Sequence, residues 1–209
     1  MPEPLRIEAK QLSKRYGRQW VLRDFNDQFV SGEVIGIQGR NGSGKSTLLR
    51  LLCSQLTPSR GAVAWHLGQR EVGIDDRYRY TSWTGPYTEF IEEFTIEELL
   101  AFHFGLKPLR ADLRLEELPE RMELGFARRR KLSECSSGMR QRVLLGTALY
   151  AATPLLMLDE PTVTLDGTAR EWFRGQLTEA KGGRLVVIAS NDEEDLRQCT
   201  RRVTLKSLI

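Results

Sequence analysis

Hydrophobic and polar residues alternate along three segments in the first third of the chain. The segments are "LRIEAKQLSKRY" (5–16), "WVLRDFNDQFV" (20–30) and "GAVAWHLGQ" (61–69). A period of two is typical of strands with one buried and one exposed face. The pattern therefore predicts an antiparallel β-rich sector near the start of the chain.

Three short apolar runs show no such alternation. They are "VIGIQ" (34–38), "LLML" (155–158) and "LVVIA" (185–189). Continuous aliphatic runs of this length indicate central strands of a parallel sheet that is covered on both faces. Together with the alternating segments, they predict an α/β fold.

The segment between about 85 and 140 is predicted to be a helical insert. "TIEELLAFHF" opens with Thr95, and Glu98 follows three residues later, which is the pattern of a capping box. Pro108 and Pro119 interrupt the sequence that follows.

Length and composition favour one soluble domain without nucleic acid as a partner. The chain has 209 residues, with 40% hydrophobic and 28% charged residues. A net charge of +3 is too small to indicate nucleic-acid binding. The basic run 128–131 is either a solvated helix face or a contact for phosphate or lipid headgroups.

Cysteine usage and hydropathy indicate a cytosolic compartment. Cys53, Cys135 and Cys199 are odd in number and lack the spacing of metal ligands, so we expect reduced thiols. The start "MPEPLRIEAK" is not a signal peptide. No window approaches 18 apolar residues, so any membrane role has to come through a partner.

"GRNGSGKST" (39–47) fits the phosphate-binding pattern G-x-x-x-x-G-K-[ST], and it lies between a predicted strand and a predicted helix. Backbone N–H groups of such a loop face phosphate oxygens. Lys45 is expected to reach the β- and γ-phosphates, and Ser46 to offer its hydroxyl to Mg²⁺. The predicted nucleotide cradle comprises Gly39, Arg40, Asn41, Gly42, Ser43, Gly44, Lys45, Ser46 and Thr47.

"LLMLDE" (155–160) supplies two carboxylates at the end of a predicted buried strand. Asp159 is expected to hold Mg²⁺ directly or through water. Glu160 is expected to orient or deprotonate an attacking water. The two motifs together predict a site for a magnesium nucleotide.

The order of these landmarks resembles that of ABC-type ATPase subunits, the nucleotide-binding half of a membrane transporter, over nearly the whole chain. The resemblance implies ATP and Mg²⁺ as ligands. It also implies a P-loop NTPase (RecA-like) core in one domain, 1–209, with an antiparallel β subdomain and the helical insert. Tyr16 matches the aromatic residue that stacks on adenine, and Asp166 ends the loop "PTVTLD" that contacts the opposite subunit.

"CSSGMRQRV" (135–143) lies where this family has its signature, LSGGQ-x-QRV. Ser136 and Gly138 match the signature, whereas Cys135, Ser137 and Met139 depart from it. The resemblance implies a helix start that meets the γ-phosphate held by a second subunit. A serine N-cap and free backbone N–H groups suit that task.

Two further departures concern the reacting centre. Asn191 follows "VVIAS" where the family has a histidine, and an amide cannot carry a proton. Trp83 or Thr84 stands where the family has a glutamine. Aromatic residues around this point either pack inside the insert or form a groove for a membrane subunit: Tyr80, Trp83, Tyr87, Phe90 and Phe94.

The resemblance implies a catalytic set of Glu160, Lys45 and Asn191 in a motor ATPase that powers a separately encoded transmembrane permease. It implies a second ATP-binding subunit, in a homodimer or a heterodimer, and a peripheral location on the inner face of the membrane. Compact export types, such as the haem-exporter subunit, are the most similar. The alternatives are an ATP-dependent clamp with little hydrolysis and a soluble ABC protein of translation or DNA repair.

Overall fold

The structure is a computed structural model that describes residues 3–86 and 88–208. Its strands are β1 Leu5–Tyr16, β2 Gln19–Val30, β3 Val34–Gln38, β4 Arg60–Leu67, β5 Arg70–Glu71, β6 Thr81–Thr84, β7 Leu155–Asp159, β8 Leu185–Ser190 and β9 Arg201–Thr204. Its α-helices are α1 Lys45–Leu52, α2 Ile96–Leu106, α3 Leu118–Arg121, α4 Ser137–Leu149 and α5 Gly167–Ala180.

An antiparallel sheet with the strand order β2-β1-β4-β5 forms one layer. Its three long strands coincide with the alternating segments of the sequence, so that prediction is confirmed. Trp65 on β4 is fully buried beneath this sheet, and its Nε1 donates to the Leu52 carbonyl at the end of α1 over 2.8 Å.

A parallel sheet with the order β6-β7-β8-β3-β9 forms the centre of the molecule. All its pairings are parallel, and the three predicted apolar runs are its three inner strands. The edge strands β6 and β9 were not predicted, because both are short and carry polar residues.

The two faces of the parallel sheet belong to two different cores. Leu156 and Leu158 of β7 pack with residues of α2, α4 and α5. Leu155 and Met157 face the other way, toward α1 and the antiparallel sheet. The continuous apolar runs are explained by this burial on both sides.

The insert is less helical than predicted. The capping box of α2 is present, with Thr95 and Glu98 bonded reciprocally. The rest of the insert up to α4 consists of loops, the four-residue α3 and single-turn 3-10 helices. Residues such as Pro108, Pro119 and Gly125 divide the chain too often for long helices to propagate.

The aromatic residues near β6 do not line one common surface. Tyr80 and Trp83 pack against the core beneath the antiparallel sheet, whereas Phe90 and Phe94 pack against the core around α4. Tyr87 lies outside the described residues. This division favours the packing interpretation over a single groove.

The basic run and the thiols have local explanations. Arg128 and Arg129 both pair with Glu97 of α2, so the run forms ion pairs on the surface of its own insert. Cys53 and Cys135 are buried, and the three cysteines form no disulfide, in line with the expected reduced thiols. No α-helix in residues 3–86 and 88–208 is long and apolar enough to cross a bilayer.

Trp65→Phe is expected to lower the free energy of unfolding by about 2–4 kcal/mol, because it leaves a buried carbonyl unpaired and opens a cavity. Trp20→Phe is the matched control. Trp20 is half-buried between the guanidinium groups of Arg15 and Arg60, so we expect a loss of about 1 kcal/mol or less. Urea denaturation measures both, and equal losses would contradict the role given to the buried hydrogen bond.

Candidate functional site

The polar residues predicted to act together converge at the carboxyl edge of the parallel sheet. The cradle follows β3, Asp159 ends β7, and Ser190 ends β8, which lies between those two strands. The register pairs Gln38 with Ser190 and Asp159 with Ala189, so the three strands end at the same level. Ligands of open parallel sheets bind at such an edge.

The cradle is a tight loop that only glycine can form at two positions. Gly44 has φ +94°, and a Cβ there would lie 3.0 Å from the backbone oxygen of Val21. At Gly39 a Cβ would lie 2.7 Å from the Leu205 carbonyl. Gly44 offers no side chain to cap α1, so the first N–H groups of that helix stay available to an anion.

Lys45 lies inside this loop and is nearly buried, with 6% of its surface exposed. Its ammonium donates to the Gly39 carbonyl over 3.0 Å and pairs with Glu160 Oε1 over 3.2 Å. The predicted phosphate ligand and the predicted base are therefore in direct contact in this structure. A bound phosphate group would compete with Glu160 for the same ammonium.

Asp159 is a buried carboxylate at the end of β7. Only 1% of the residue is exposed, and neither oxygen has a hydrogen-bond partner among the described residues by distance and angle. Burial raises the pKa of Asp159, while the nearby Ser46 hydroxyl lowers it. A buried charge of this kind is costly unless a cation accompanies it.

This arrangement fits a hard divalent cation. Carboxylate and hydroxyl oxygens are ligands that Mg²⁺ accepts, and Mg²⁺ keeps several waters or phosphate oxygens as its remaining ligands. Ser46 and Asp159 are the protein groups that could hold Mg²⁺ at this edge of the sheet.

Glu160 is held by its backbone in an uncommon conformation. Its φ is +49°, in the left-handed region, and its N–H donates to the Ala189 carbonyl over 2.8 Å. Non-glycine residues adopt this region rarely, and functional sites are among the places where they do. The bond to β8 fixes the point from which the carboxylate projects.

Asn191 reaches the cradle directly. Its Nδ2 donates to Asn41 Oδ1 over 2.9 Å, although 150 residues separate the two. The next residue, Asp192, pairs with Arg170 of α5 over 2.6 Å. The loop after β8 is thus fixed to the cradle on one side and to α5 on the other.

The altered signature opens a helix as predicted. Ser136 is the N-cap of α4, and its Oγ accepts from the Met139 N–H over 3.2 Å. Gln141 donates to the Pro161 carbonyl over 2.7 Å, which joins α4 to the loop after Glu160. The departures at Cys135, Ser137 and Met139 therefore leave the helix start intact.

Ser136, Gly138 and Asp166 line one cavity of about 400 Å³. None of the cradle residues 39–47 lines it. Asp166 also caps α5, because its carboxylate accepts from the Ala169 N–H over 2.8 Å. Within one subunit the signature and the cradle are thus two separate surfaces.

Tyr16 ends β1 and is 51% exposed. The Lys14 ammonium lies 5.3 Å from the centre of its ring. An exposed aromatic ring can stack on a base.

Gly85, the residue after β6, lies beside Asp159. A Cβ at Gly85 would lie 3.0 Å from Asp159 Cβ and 3.4 Å from Trp83 Nε1. Trp83 shares the face of Asp159, whereas Thr84 pairs with Leu158 and shares the opposite face. Of the two residues predicted for this position, Trp83 is therefore the one whose ring lies near Asp159.

Sequence reasoning missed Ser190 and Asp195. Ser190 Oγ lies 3.2 Å from Glu160 Oε2 and 2.7 Å from Asp195 Oδ2. The serine at the end of an apolar run and the acidic stretch behind it were visible signals. Their contact with Glu160 depends on how β8 aligns with β7.

Comparison with known proteins gives a consistent result. The profile of the family described as "ABC transporter" matches residues 22–163. The chain is 31% identical over 211 residues to an uncharacterized ABC transporter ATP-binding protein, YdbJ, of Bacillus subtilis, covering 99% of this chain and 68% of that protein. It is 32% identical to the Nod factor export ATP-binding protein I of Rhizobium johnstonii, covering 98% and 67%.

A sulfate/thiosulfate import ATP-binding protein, CysA, of Synechocystis is 29% identical, covering 96% of this chain and 58% of that protein. The chain thus spans between 58% and 68% of the lengths of these three relatives.

Among solved structures, an ATP-binding subunit of an ABC transporter superposes with a TM-score of 0.82 at 28% identity, covering 95% and 85% of the two chains. A putative ABC transporter ATP-binding protein from Pyrococcus furiosus gives 0.79 at 25%, covering 96% and 97%.

Asp159→Asn is expected to separate stability from magnesium binding. Without Mg²⁺ it should raise the free energy of unfolding at pH 7 by about 1–2 kcal/mol, because it removes a buried charge whose pKa is raised by burial. Since burial raises the pKa of Asp159, this gain should disappear as pH falls below the unfolded-state pKa of about 3.9.

The same variant should lose the Mg²⁺ dependence of nucleotide binding. Urea denaturation and fluorescent-nucleotide titration, each with Mg²⁺ and with EDTA, measure the two effects. Asp192→Asn is the control, because its carboxylate is paired with Arg170 and removing its charge should destabilise the protein. A destabilised Asp159→Asn with unchanged Mg²⁺ dependence would contradict the assignment.

Proposed function

The chain belongs to the ABC transporter family, and we propose that it is an ATP-binding and ATP-hydrolysing motor subunit of a membrane transporter. The observation that carries the proposal is the meeting of three groups at one sheet edge. Lys45 contacts Glu160, and the buried carboxylate of Asp159 immediately precedes Glu160 in the chain.

Each of these groups has a role in phosphoryl transfer, which depends mainly on positioning and on charge stabilisation. Lys45 and the free N–H groups of α1 bind the phosphates. Mg²⁺ held by Ser46 and Asp159 would neutralise phosphate charge. Glu160 orients the attacking water and accepts its proton. Tyr16 stacks on the adenine.

A second ATP-binding subunit completes the proposed site. The cavity at Ser136, Gly138 and Asp166 has no contribution from the cradle of its own chain. It combines a capped helix start with backbone N–H groups, which suits the γ-phosphate of an ATP held by another subunit. Two subunits facing each other would join cradle to signature twice.

The family and the named relatives support a transmembrane partner for this chain. Relatives named for export and relatives named for import both match nearly all of this chain. The proposed motor role is common to both directions, with a permease as the membrane component. The greater similarity to the haem-exporter subunit stays a prediction.

Steady-state hydrolysis of ATP tests the proposal. The wild-type chain is expected to turn over ATP with Mg²⁺, at a rate that rises more steeply than protein concentration because the site needs two subunits. Glu160→Gln should lower kcat by at least about 100-fold while nucleotide binding persists. Phosphate release and fluorescent-nucleotide titration measure the two quantities.

Glu134→Gln serves as a matched control at an exposed glutamate outside the site, and its kcat should equal that of the wild type. If wild type and Glu160→Gln bind ATP alike and neither turns it over, even with a permease, hydrolysis is refuted. Such a result would favour the ATP-dependent clamp.

Asn191 is expected to limit the rate. Asn191→His should raise kcat, and Asn191→Ala should lower it, each by up to about tenfold, which is the effect of one hydrogen bond to a charged centre. Both variants alter the contact between Asn191 and Asn41 but leave the cradle residues themselves unchanged, so the KM for ATP should change less than kcat. Equal kcat in all three proteins would contradict a role for Asn191 at the reacting centre.

A further inference from the structure

A chain of four polar side chains leads from the loop after Glu160 back to its carboxylate. Thr162 Oγ1 donates to Asp195 Oδ1 over 2.7 Å, and Ser190 Oγ contacts Asp195 Oδ2 over 2.7 Å. Ser190 Oγ also donates to Glu160 Oε2 over 3.2 Å. The whole connection lies within the carboxyl edge of the sheet.

The central hydroxyl of this chain has little freedom to move. Ser190 is fully buried, and its Oγ accepts a hydrogen bond from the Asp192 N–H over 3.0 Å. Asp195 is also buried, with 6% of its surface exposed. A buried hydroxyl with this many contacts keeps one rotamer, so it presents a fixed polar atom to Glu160.

Lys45 cannot hold the Glu160 carboxylate in place during the reaction. In the structure its ammonium pairs with Glu160 Oε1. Under the proposed function, the phosphates of bound ATP draw that same ammonium away from the carboxylate. Among the described side chains that contact Glu160, Ser190 then remains to hold it.

We propose that Ser190, anchored by Asp195 and Thr162, is a positioning residue that fixes the carboxylate of Glu160 when nucleotide occupies the cradle. The inference rests on the proposed function and adds three residues to the machinery of the site. A misdirected carboxylate slows the reaction without weakening ATP binding, because none of the three residues belongs to the cradle.

The number of hydrogens on the Ser190 hydroxyl is compatible with its role as a positioning residue. A serine hydroxyl has one hydrogen, and two carboxylates lie within its reach. Burial raises the pKa of Asp195, and the neighbouring Asp192 raises it further, whereas Thr162, Ser190 and Arg170 lower it. When Asp195 is protonated, its carboxyl group donates to Ser190, and the serine hydrogen is then free for Glu160.

Ser190→Ala tests the inference. We expect kcat to fall about tenfold, the lower end of what losing a hydrogen bond to a charged group costs. The KM for ATP and the affinity for a fluorescent nucleotide should stay within about twofold. This split between kcat and KM is not produced by a general loss of folded protein, which is checked by urea denaturation.

Ser82→Ala is the matched control. Ser82 is a buried strand serine that bonds Thr153 over 2.6 Å, and it lies on β6 on the face opposite to Asp159. We expect a loss of stability with unchanged kcat.

Asp195→Ala should lower kcat severalfold, and Asp195→Asn should recover most of that loss, because an amide can still contact both Ser190 and Thr162.

A second readout does not need turnover. The carboxyl ¹³C resonance of Glu160, assigned by its absence from Glu160→Gln, should shift in Ser190→Ala and not in Ser82→Ala. If the wild type hydrolyses ATP and Ser190→Ala matches it in kcat, the inference is refuted and the proposed function stands. If no protein hydrolyses ATP, an unshifted resonance in Ser190→Ala overturns the inference on its own.

Discussion

The parallel pairing of β7, β8 and β3 sets where every group of the site lies. Each strand is buried on both faces, so none can slide by one residue without turning apolar side chains into the wrong core. The fixed register brings the cradle, the carboxylates after β7 and the polar end of β8 to one level. The precision of the site is thus derived from the hydrophobic packing beneath it.

Two carboxylates at this edge lie in different surroundings. Asp159 is buried, and its oxygens have no hydrogen bond to the described residues that meets the distance and angle limits, so burial raises its pKa. Glu160, one residue later, lies against the Lys45 ammonium. Under the proposed function, magnesium and phosphate would act on both residues at once, because the cation would compensate Asp159 and the phosphates would compete for Lys45. Binding of the nucleotide would replace the pair of Lys45 and Glu160 with a pair of Lys45 and phosphate, and it would pair Asp159 with the cation.

Much of the fold could be predicted from sequence because the signals are local. Continuous apolar runs marked the inner strands, and the spacing of glycines and Lys45 marked the cradle. The edge strands β6 and β9 gave no such signal, since four residues with polar side chains match a loop as well as a strand. The insert has less helix than predicted, because its apolar residues lie in short turns that pack on α2 and α4.

The contacts of the site could not be predicted, because they join residues far apart in sequence. Asn41 and Asn191 are separated by 150 residues, and Glu160 and Ser190 by 30. Gly85 was overlooked because only the pairing of β6 with β7 identifies which residue faces Asp159. The sequence identifies the polar residues at the end of each strand, and the register of the strands determines which of these residues come into contact.

The amide of Asn191 limits which residues of the site can transfer a proton. It can donate and accept hydrogen bonds, but it cannot take a proton, so proton transfer has to rest on Glu160. Gly85 has no side chain, and the Trp83 ring lies next to it. Under the proposed function, the reaction therefore depends strongly on the orientation of the Glu160 carboxylate. A rigid support for Glu160, formed by its strained backbone and by Ser190, is the compensation that such a site requires.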